Sequence, residues 1–188
     1  MVHFFVKGKN KEEKEMKVSK SFRLEEFVPK EIYEKYKDQS IWFSRPEVIN
    51  LAQSIRDYFG RPMTINNWHS GGKFNERGFR LPDSKTGAKL SQHKLAGAID
   101  FTIEGISPDE VRSSILENPK RFLDEGLTTI EDGSYTPTWT HVDVRNTGLN
   151  KILIVKPSIS VNSVGDSISE EYYFFDRKKL IKIKNYSF

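Results

Sequence analysis

The sequence contains no cysteine, and this absence limits the kinds of site it can build. Disulfide bonds, thiolate metal sites and cysteine nucleophiles are excluded, so any metal ion must be bound by His, Asp or Glu. No window approaches the roughly twenty apolar residues of a membrane-spanning helix, and we expect none. The N-terminal segment MVHFFVKGKNKEEK lacks the basic start, apolar middle and small-residue cleavage site of a secretory signal. We therefore expect synthesis in the cytoplasm without a signal peptide.

The overall composition is that of a globular protein with a real core. Hydrophobic residues make up 36% of the 188 residues and charged residues 30%, which suits one domain of ordinary size. The net charge of +4 and the pI near 9.1 can help a protein approach an anionic polymer, but they equally serve solubility. Because nucleic-acid binding rests on the pI alone, we expect no nucleic-acid partner. The composition does not specify an oligomeric state.

A helix is predicted near the end of the first quarter of the chain. Ser44 is expected to cap it, with Glu47 three residues later completing a capping box. Gly60 and Pro62 are expected to end it. Apolar residues recur at helical spacing and predict one buried stripe, which consists of Val48, Leu51, Ala52, Ile55 and Phe59.

The rest of the chain alternates between strand patterns, a second helix and one long polar loop. A second helix is expected to begin at Ser107, with Pro108 and Glu110 in its first turn. The loop covers 69–90, and loops of that length often border binding sites. The remaining segments with strand character are 62–68, 96–103, TTIED (128–132) and TWTHVDVR (138–145).

These patterns predict an α+β fold with a mostly antiparallel central sheet flanked by helices. We expect the main domain to cover residues 1–150. It would include an N-terminal hairpin within 1–22, with strands at 2–7 and 16–22, and a helical region that begins at SFRLEEF (21–27). Residues 151–188 form a β-rich C-terminal extension, which is either part of the same domain or a small appended module.

Two of the four histidines lie in segments that suggest a site. In TWTHVDVR, strand alternation places His141 and Asp143 on one face, together with Trp139 and Arg145. The intervening residues, Thr138, Thr140, Val142 and Val144, point to the opposite face and can pack into a core. Core packing does not call for an imidazole, a carboxylate and a guanidinium in one row, so a functional site explains that row better.

The segment SQHKLAGAID adds a second carboxylate and a second imidazole. Alternation places Asp100 opposite the apolar face of its strand, and His93 lies seven residues earlier. If the two strands are neighbours, His93, Asp100 and His141 converge as a three-ligand set for one zinc ion. The fourth position stays open for water, as in catalytic rather than structural zinc sites.

These motifs resemble a known family. SQHKLAGAID resembles the Ser-x-His-x-x-Gly-x-Ala-x-Asp motif of the zinc D-Ala-D-Ala carboxypeptidase and phage endolysin family, and WTHVDVR resembles its final strand. SFRLEEF resembles the start of that domain, and TINNWHSGGKFNERGFR resembles the segment before the first histidine in phage-borne members. The resemblance covers roughly residues 20–147 in the same order.

The resemblance implies a zinc metallopeptidase in which His93, Asp100 and His141 bind the metal. It implies the hedgehog/D-Ala-D-Ala peptidase-like fold, with the zinc site on one face of a central antiparallel sheet. The substrate class is the stem peptide of peptidoglycan, cut by hydrolysis as in a carboxypeptidase or an endolysin-type endopeptidase. Such a hydrolase from a bacteriophage acts on the cell wall after its release or as part of a virion.

The sequence departs from the family pattern at two positions. Ala96 stands where the motif has glycine, with Gly97 following it. Thr138 stands where many members carry the acidic residue that serves as general base. Asp143, on the face of His141, is our first choice for the base, and its competing role is to orient a ligand imidazole or pair with an arginine. Glu131 is the next candidate, together with Asp132.

Several polar residues are candidates for substrate binding. Arg77 and Arg80 in the long loop can grip a carboxylate in bidentate fashion, or they are solvated loop charges. Ser91 and Gln92 precede the first ligand and can hold that ligand or the substrate by hydrogen bonds. Three aromatic side chains nearby either border the cleft or serve the structure: Trp68, His69 and Trp139.

Two functions from different classes fit these observations. The first is a zinc-dependent peptidoglycan peptidase. The second is a catalytically weak or inactive member of the same family that serves as a structural or wall-binding component of a phage particle. Thr138 in place of the usual acid favours the second, and the predicted ligand set favours the first.

Overall fold

The computed structural model describes residues 16–162, 165–176 and 179–183 of the chain. The expected strand at 2–7 lies outside these residues. The expected strand at 16–22 is wrong, because the backbone turns within it: the amides of Val18 and Ser19 both donate to the carbonyl of Phe22. A single bridge between Lys17 and Arg23 closes this loop.

A seven-stranded mixed sheet forms the centre of the molecule, with the order β1-β2-β4-β3-β5-β6-β7. All neighbouring strands are antiparallel except β3 and β5, which pair in parallel, so the mostly antiparallel sheet predicted for an α+β fold is confirmed. The strands are β1 Met63–Thr64, β2 Ala98–Ile103, β3 Thr129–Glu131, β4 Thr140–Asp143, β5 Leu153–Asn162, β6 Gly165–Asp176 and β7 Lys179–Lys182.

Four α-helices lie in the described part of the chain: α1 Lys30–Tyr36, α2 Pro46–Phe59, α3 Pro108–Glu117 and α4 Pro119–Asp124. The helical region predicted from SFRLEEF onward is divided into a 3-10 turn at Leu24–Glu26, then α1, then a 3-10 segment at Lys37–Phe43. None of these helices is both long enough and apolar enough to cross a bilayer.

The predicted cap of α2 at Ser44 is wrong. The helix begins one residue later, with Arg45 in an extended conformation at the N-cap and Pro46 as the first helical residue. Proline favours that first position and disfavours a helical residue before it, so Pro46 fixes the start of the helix. The predicted end is confirmed, because Gly60 caps the helix in the left-handed conformation.

The start of α3 follows the prediction in detail. The Ser107 hydroxyl accepts from the Glu110 amide, and the Glu110 carboxylate accepts from the Ser107 amide, which completes the capping box. The helices pack their apolar residues against one face of the sheet, and the stripe of α2 is buried from Val48 to Ile55. The opposite face of the central strands is therefore left for polar residues.

The predicted strand at 62–68 is shorter than expected, because β1 covers two residues. Asn66 ends the strand by forming other contacts: its amide donates to the carbonyl of Glu26, and its side chain binds the carbonyl of Val28 and the amide of Arg77. These bonds join the segment after β1 both to the N-terminal helical region and to the long loop.

The C-terminal residues extend the same sheet. β5 pairs with β3 through Thr129–Leu153 and Ile130–Ile154, and Ile154 is part of the main core. The strands β5, β6 and β7 then continue the sheet outward as antiparallel neighbours.

Candidate metal centre

The pairing of β2 with β4 brings together two of the predicted ligands. Asp100 lies directly opposite His141 in the antiparallel register. Both side chains project to the face away from the main core, since the alternate residues of these strands fill that core. His93 lies on a 3-10 turn, Gln92–Leu95, that ends shortly before β2 begins.

Three possible ligand atoms converge at this point. Asp100 Oδ1 lies 2.8 Å from His141 Nδ1 and 3.3 Å from His93 Nε2, and the two imidazole nitrogens are 3.2 Å apart. All three side chains are buried. A tetrahedral ion with bonds of about 2.0 Å holds neighbouring ligand atoms about 3.3 Å apart. This group can therefore bind a metal ion.

The ring of His93 is oriented by the long loop. Its Nδ1 lies 2.7 Å from the carbonyl oxygen of Gly78, which places the proton on Nδ1 and leaves Nε2 free to bind a metal. Gly78 is required at this position, because a Cβ there would lie 2.2 Å from the carbonyl oxygen of Phe27. The neighbouring Phe79 amide donates to that same carbonyl, which holds the loop in place.

The other two ligands are also held from behind. Asp100 Oδ2 accepts from the Arg80 guanidinium at 2.6 Å, so its Oδ1 is directed to the centre. His141 Nε2 lies 3.4 Å from a carboxylate oxygen of Asp143 and 4.0 Å from Glu131 Oε1. Two carboxylates at Nε2 place the proton there and leave Nδ1 as the metal-binding atom.

The electrostatics of the two imidazoles differ. Burial lowers the pKa of His93 and keeps its ring neutral at pH 7. Burial acts in the same direction on His141, but the carboxylates of Glu131, Asp100 and Asp143 outweigh it and raise the pKa to about 10. The pKa of Asp100 lies well below its usual range despite burial, because both imidazoles stabilise the carboxylate. The centre therefore favours a bound positive charge.

A simple charge count supports the same conclusion. Asp100 pairs with the guanidinium of Arg80 and Asp143 with that of Arg145, and the carboxylate of Glu131 lies 4.0 Å from His141. With neutral imidazoles, three negative and two positive groups leave one negative charge. A bound cation balances that charge in place of the proton that His141 otherwise carries.

A cavity of about 860 Å³ opens above the cluster. All three candidate ligands line it, and its walls come from the 86–95 segment, the loop before β4, the residues after β4 and strand β6. This volume lies near the upper end of the usual range for ligand pockets. The cavity is thus large enough for a substrate that extends beyond the metal ligands.

Asp143 and Glu131, two of the three candidate general bases, lie in different environments. Asp143 is fully buried, and Arg145 binds both of its carboxylate oxygens. Hydrogen bonds and ion pairs with His141 and Arg145 outweigh burial and lower the pKa of Asp143. Glu131 instead lines the cavity with a side chain that is 27% exposed. Glu131 is therefore the carboxylate that a substrate can reach, and Asp143 is placed to orient His141.

The candidate substrate-binding residues also divide. Ser91 and Gln92 line the cavity, as does Arg80, but the guanidinium of Arg80 is already paired with Asp100. Arg77 is not among the cavity residues; its guanidinium lies 3.4 Å from the centre of the Phe74 ring. Its backbone carbonyl accepts from the Asp100 amide, so this arginine serves the structure of the loop.

The aromatic candidates near the site have different surroundings. Trp139 lines the cavity, in agreement with the first of its two possible roles, a place at the border of the cleft. Trp68 donates its indole proton to the carbonyl of Val28, and the ring of His69 packs edge-on against it. Among the described residues, the metal-binding group contains neither Trp68 nor His69.

Sequence reasoning missed the residue that fixes the wall around Trp139. Arg112 of α3 is 6% exposed, and its guanidinium donates to the carbonyls of Thr136 and Trp139. Its remaining partner is Asp109, one turn earlier on the same helix. The sequence shows only an arginine beside the apolar residues of a helix. That pattern does not indicate which groups the arginine binds.

Searches against protein-family models, curated proteins and solved structures found no match to this chain. Its function must be argued from the geometry of the site itself.

Proposed function

We propose that this protein is a zinc-dependent peptidase that hydrolyses an amide bond in the stem peptides of peptidoglycan. The observation that carries the proposal is the convergence of His93 Nε2, Asp100 Oδ1 and His141 Nδ1 within 3.3 Å of one another at a large cavity. Two imidazoles and one carboxylate are a ligand set typical of catalytic zinc.

Zinc is the ion that this donor set favours. Nitrogen ligands and a single carboxylate suit zinc better than magnesium or calcium, which prefer a set of oxygen ligands. Bound zinc supplies a Lewis acid that activates water for attack on an amide at neutral pH. The chain contributes three fixed ligands and a cavity through which a peptide reaches them.

Glu131 is the residue best placed to move protons in this reaction. Its carboxylate lines the cavity 4.0 Å from His141 Nε2, and its side chain has to turn toward the Nδ1 side of that ring to reach the attacking water. In the proposed mechanism it accepts a proton from the attacking water and delivers it to the nitrogen of the departing amine. Asp143 also lies at Nε2 of His141 and orients the ring, and Arg145 keeps Asp143 ionised.

The sequence resemblance supplies the substrate class. The motifs around His93, Asp100 and His141 resemble those of the zinc D-Ala-D-Ala carboxypeptidase and phage endolysin family, and the same residues form the cluster. We extend the proposal to the fold of that family, in which the zinc site lies on one face of an antiparallel sheet. A phage-borne enzyme of this type would act on the bacterial cell wall after release or within a virion.

The alternative is a family member without activity that contributes structure or wall binding to a phage particle. It rests on Thr138, which is exposed and is not among the residues of the cavity. Glu131 supports the active enzyme, because it supplies from β3 the carboxylate that Thr138 does not provide.

The test is to incubate zinc-loaded protein with purified peptidoglycan and measure the release of free amines. We expect release by the wild type and its loss in His93→Ala, because that variant removes a ligand. His69→Ala is the matched control, since this histidine lies outside the metal-binding group. Its activity should equal that of the wild type.

Two outcomes would contradict the proposal. If the wild type binds one zinc ion but releases no amines from any peptidoglycan type, the structural alternative replaces it. If His93→Ala cleaves as well as the wild type, the metal site is not the site of hydrolysis.

A further inference from the structure

A row of residues crosses the sheet from the candidate ligands His93, Asp100 and His141 to the C-terminal extension. Asp100 pairs with His141, Glu131 pairs with Val155, and Val155 pairs with Tyr172. The contact of 4.0 Å between His141 and Glu131 joins the two parts of the row. Directly paired residues on neighbouring strands project to the same face of a sheet. Tyr172 therefore lies on the same face as the cluster, and it lines the same cavity.

The length of this row can be converted into a length of substrate. Neighbouring strands lie 4.7–4.9 Å apart, so the three strand steps from His141 to Tyr172 correspond to about 14 Å. An extended peptide advances about 3.3–3.6 Å per residue. A substrate held at the cluster would reach Tyr172 with a residue roughly four positions from the bond that is cut.

The cavity also continues at the opposite end of the row. Arg80 binds Asp100 there, and a Cβ on Gly87 would lie 2.9 Å from the same guanidinium, so the 87–95 segment adjoins this end. Leu90 and Leu95 of that segment line the cavity and are 80% and 57% exposed. Large apolar side chains exposed at the edge of a cavity are suited to contact a bound ligand.

We propose that the substrate is an extended peptide that runs across the sheet from the 87–95 segment to Tyr172, and that Tyr172 determines specificity for long substrates. This inference rests on the proposed peptidase function and makes it more specific: the enzyme acts as an endopeptidase on an extended stem or cross-linked peptide. A carboxypeptidase that holds only a terminal dipeptide would use the cluster and leave the Tyr172 end of the cavity empty.

The proposal gives the C-terminal extension a role in the active site. The ring of Tyr172 supplies an aromatic surface on which a peptide can pack, and such contacts typically contribute a factor of about ten in affinity. Tyr173, the next residue along β6, packs instead against the main core on the opposite face. The two tyrosines therefore form a natural pair for comparison.

The experiment compares synthetic stem peptides that share one scissile bond but differ in length by about four residues, extended toward either end. For the zinc-loaded wild type, we expect extension toward one of the two ends to raise kcat/KM about tenfold over that of the short peptide. In Tyr172→Ala the ratio of the two values should fall to near one. Tyr172→Phe should restore it, because the ring is kept.

Tyr173→Phe serves as the control and should leave the ratio as in the wild type. Binding is measured separately by calorimetry with zinc-loaded Glu131→Gln, with and without Tyr172→Ala, so that affinity is read without turnover. Melting temperatures of all variants establish that they are folded. The comparison of affinities between the short and the long peptides tests the role of Tyr172 even if no peptide is cut.

The outcomes separate this inference from the proposed function. If all lengths are cut equally well, or if the length dependence survives in Tyr172→Ala, the role of Tyr172 is contradicted while the peptidase function stands. If long peptides bind through Tyr172 but none is cut, the role of Tyr172 in binding an extended peptide stands and hydrolysis is contradicted. If the long peptide binds no better than the short one, the inference is overturned.

Discussion

The cluster of candidate ligands and the wall of the cavity above it are formed by different kinds of chain contact. The cluster is local: His93 and Asp100 lie on one continuous segment, and His141 is on the strand paired with it. The wall combines distant parts of the chain, with Glu131 on β3 and Tyr172 on β6. Each ligand is fixed by a contact behind it, whereas the wall residues are placed by the pairing of strands that are not consecutive.

For the proposed peptidase, this difference predicts that metal binding and substrate processing can be changed separately. Substitutions in the cluster should remove the ion. Substitutions in the wall should leave the ion bound while turnover or affinity for the peptide falls. The predictions below test that separation, beginning with the largest expected effect.

Replacing Glu131 with glutamine should have the largest effect on turnover. Glutamine keeps the size of the side chain but cannot accept a proton, so we expect kcat to fall by about 10²- to 10⁴-fold. Zinc stoichiometry should not change. Asp132→Asn is the matched control, because Asp132 binds Ser134 and Lys156 and is not among the cavity residues. Full activity in Glu131→Gln would show that another group is the base.

Replacing Arg112 with methionine should destabilise the wall. The buried carbonyls of Thr136 and Trp139 would lose their donor, and we expect the free energy of unfolding to fall by about 3 kcal/mol. Chemical denaturation measures this loss, with Arg121→Met on the exposed surface of α4 as the control. A change no larger than that of the control would mean that Arg112 does not hold the loop.

Asp143→Asn tests whether this buried residue orients His141 or acts as the base. If it orients the ring, zinc affinity should fall by about 10- to 100-fold, and activity should return at saturating zinc. Titration with a competing chelator measures the affinity. An unchanged zinc affinity together with a lost kcat would transfer the role of the base from Glu131 to Asp143.

The smallest expected effect lies beside the cluster at Ala96. This residue adopts the left-handed conformation, with φ of 55°, which costs alanine more than glycine. Ala96→Gly should therefore raise the free energy of unfolding by about 0.5 kcal/mol. Ala88→Gly, at a position without positive φ, should not stabilise the protein. A loss of stability in Ala96→Gly would show that packing of the methyl group outweighs the backbone strain.

The sequence predicted the local part of the site well, for physical reasons. Alternation in AIDFTI separates Asp100 from the apolar residues that enter the core, and alternation in THVD does the same for His141. Both segments are short antiparallel strands with one face on the core, which is where a period of two is most informative. Asp100 and His141 follow from that pattern, and His93 lies on the turn shortly before the strand of Asp100.

The wall could not be predicted, because its residues meet through pairings that leave no local pattern. The parallel pairing of β3 with β5 brings Tyr172 to the row that contains Glu131. Strand alternation predicted that Asp143 lies on the same face as His141, but it does not predict how deeply a side chain is buried. It therefore favoured Asp143 over Glu131 as the base, although Arg145 encloses Asp143.

Helix boundaries show the same limit. The capping box at Ser107 was predicted correctly because its two partners are close in sequence. The cap at Ser44 failed because Pro46 moved the start of the helix by one residue, and the Ser44 hydroxyl has no hydrogen-bond partner among the described residues. The separate helix α4, Pro119–Asp124, begins at a proline, a residue that favours the first helical position.

The central claim is that His93, Asp100 and His141 together bind one zinc ion, and a direct measurement is the zinc content of the protein after equilibrium dialysis. We predict one ion per chain for the wild type and for His69→Ala, and a loss of stoichiometric binding in His93→Ala, Asp100→Ala and His141→Ala. Zinc retained at one ion per chain in all three ligand variants would contradict the claim.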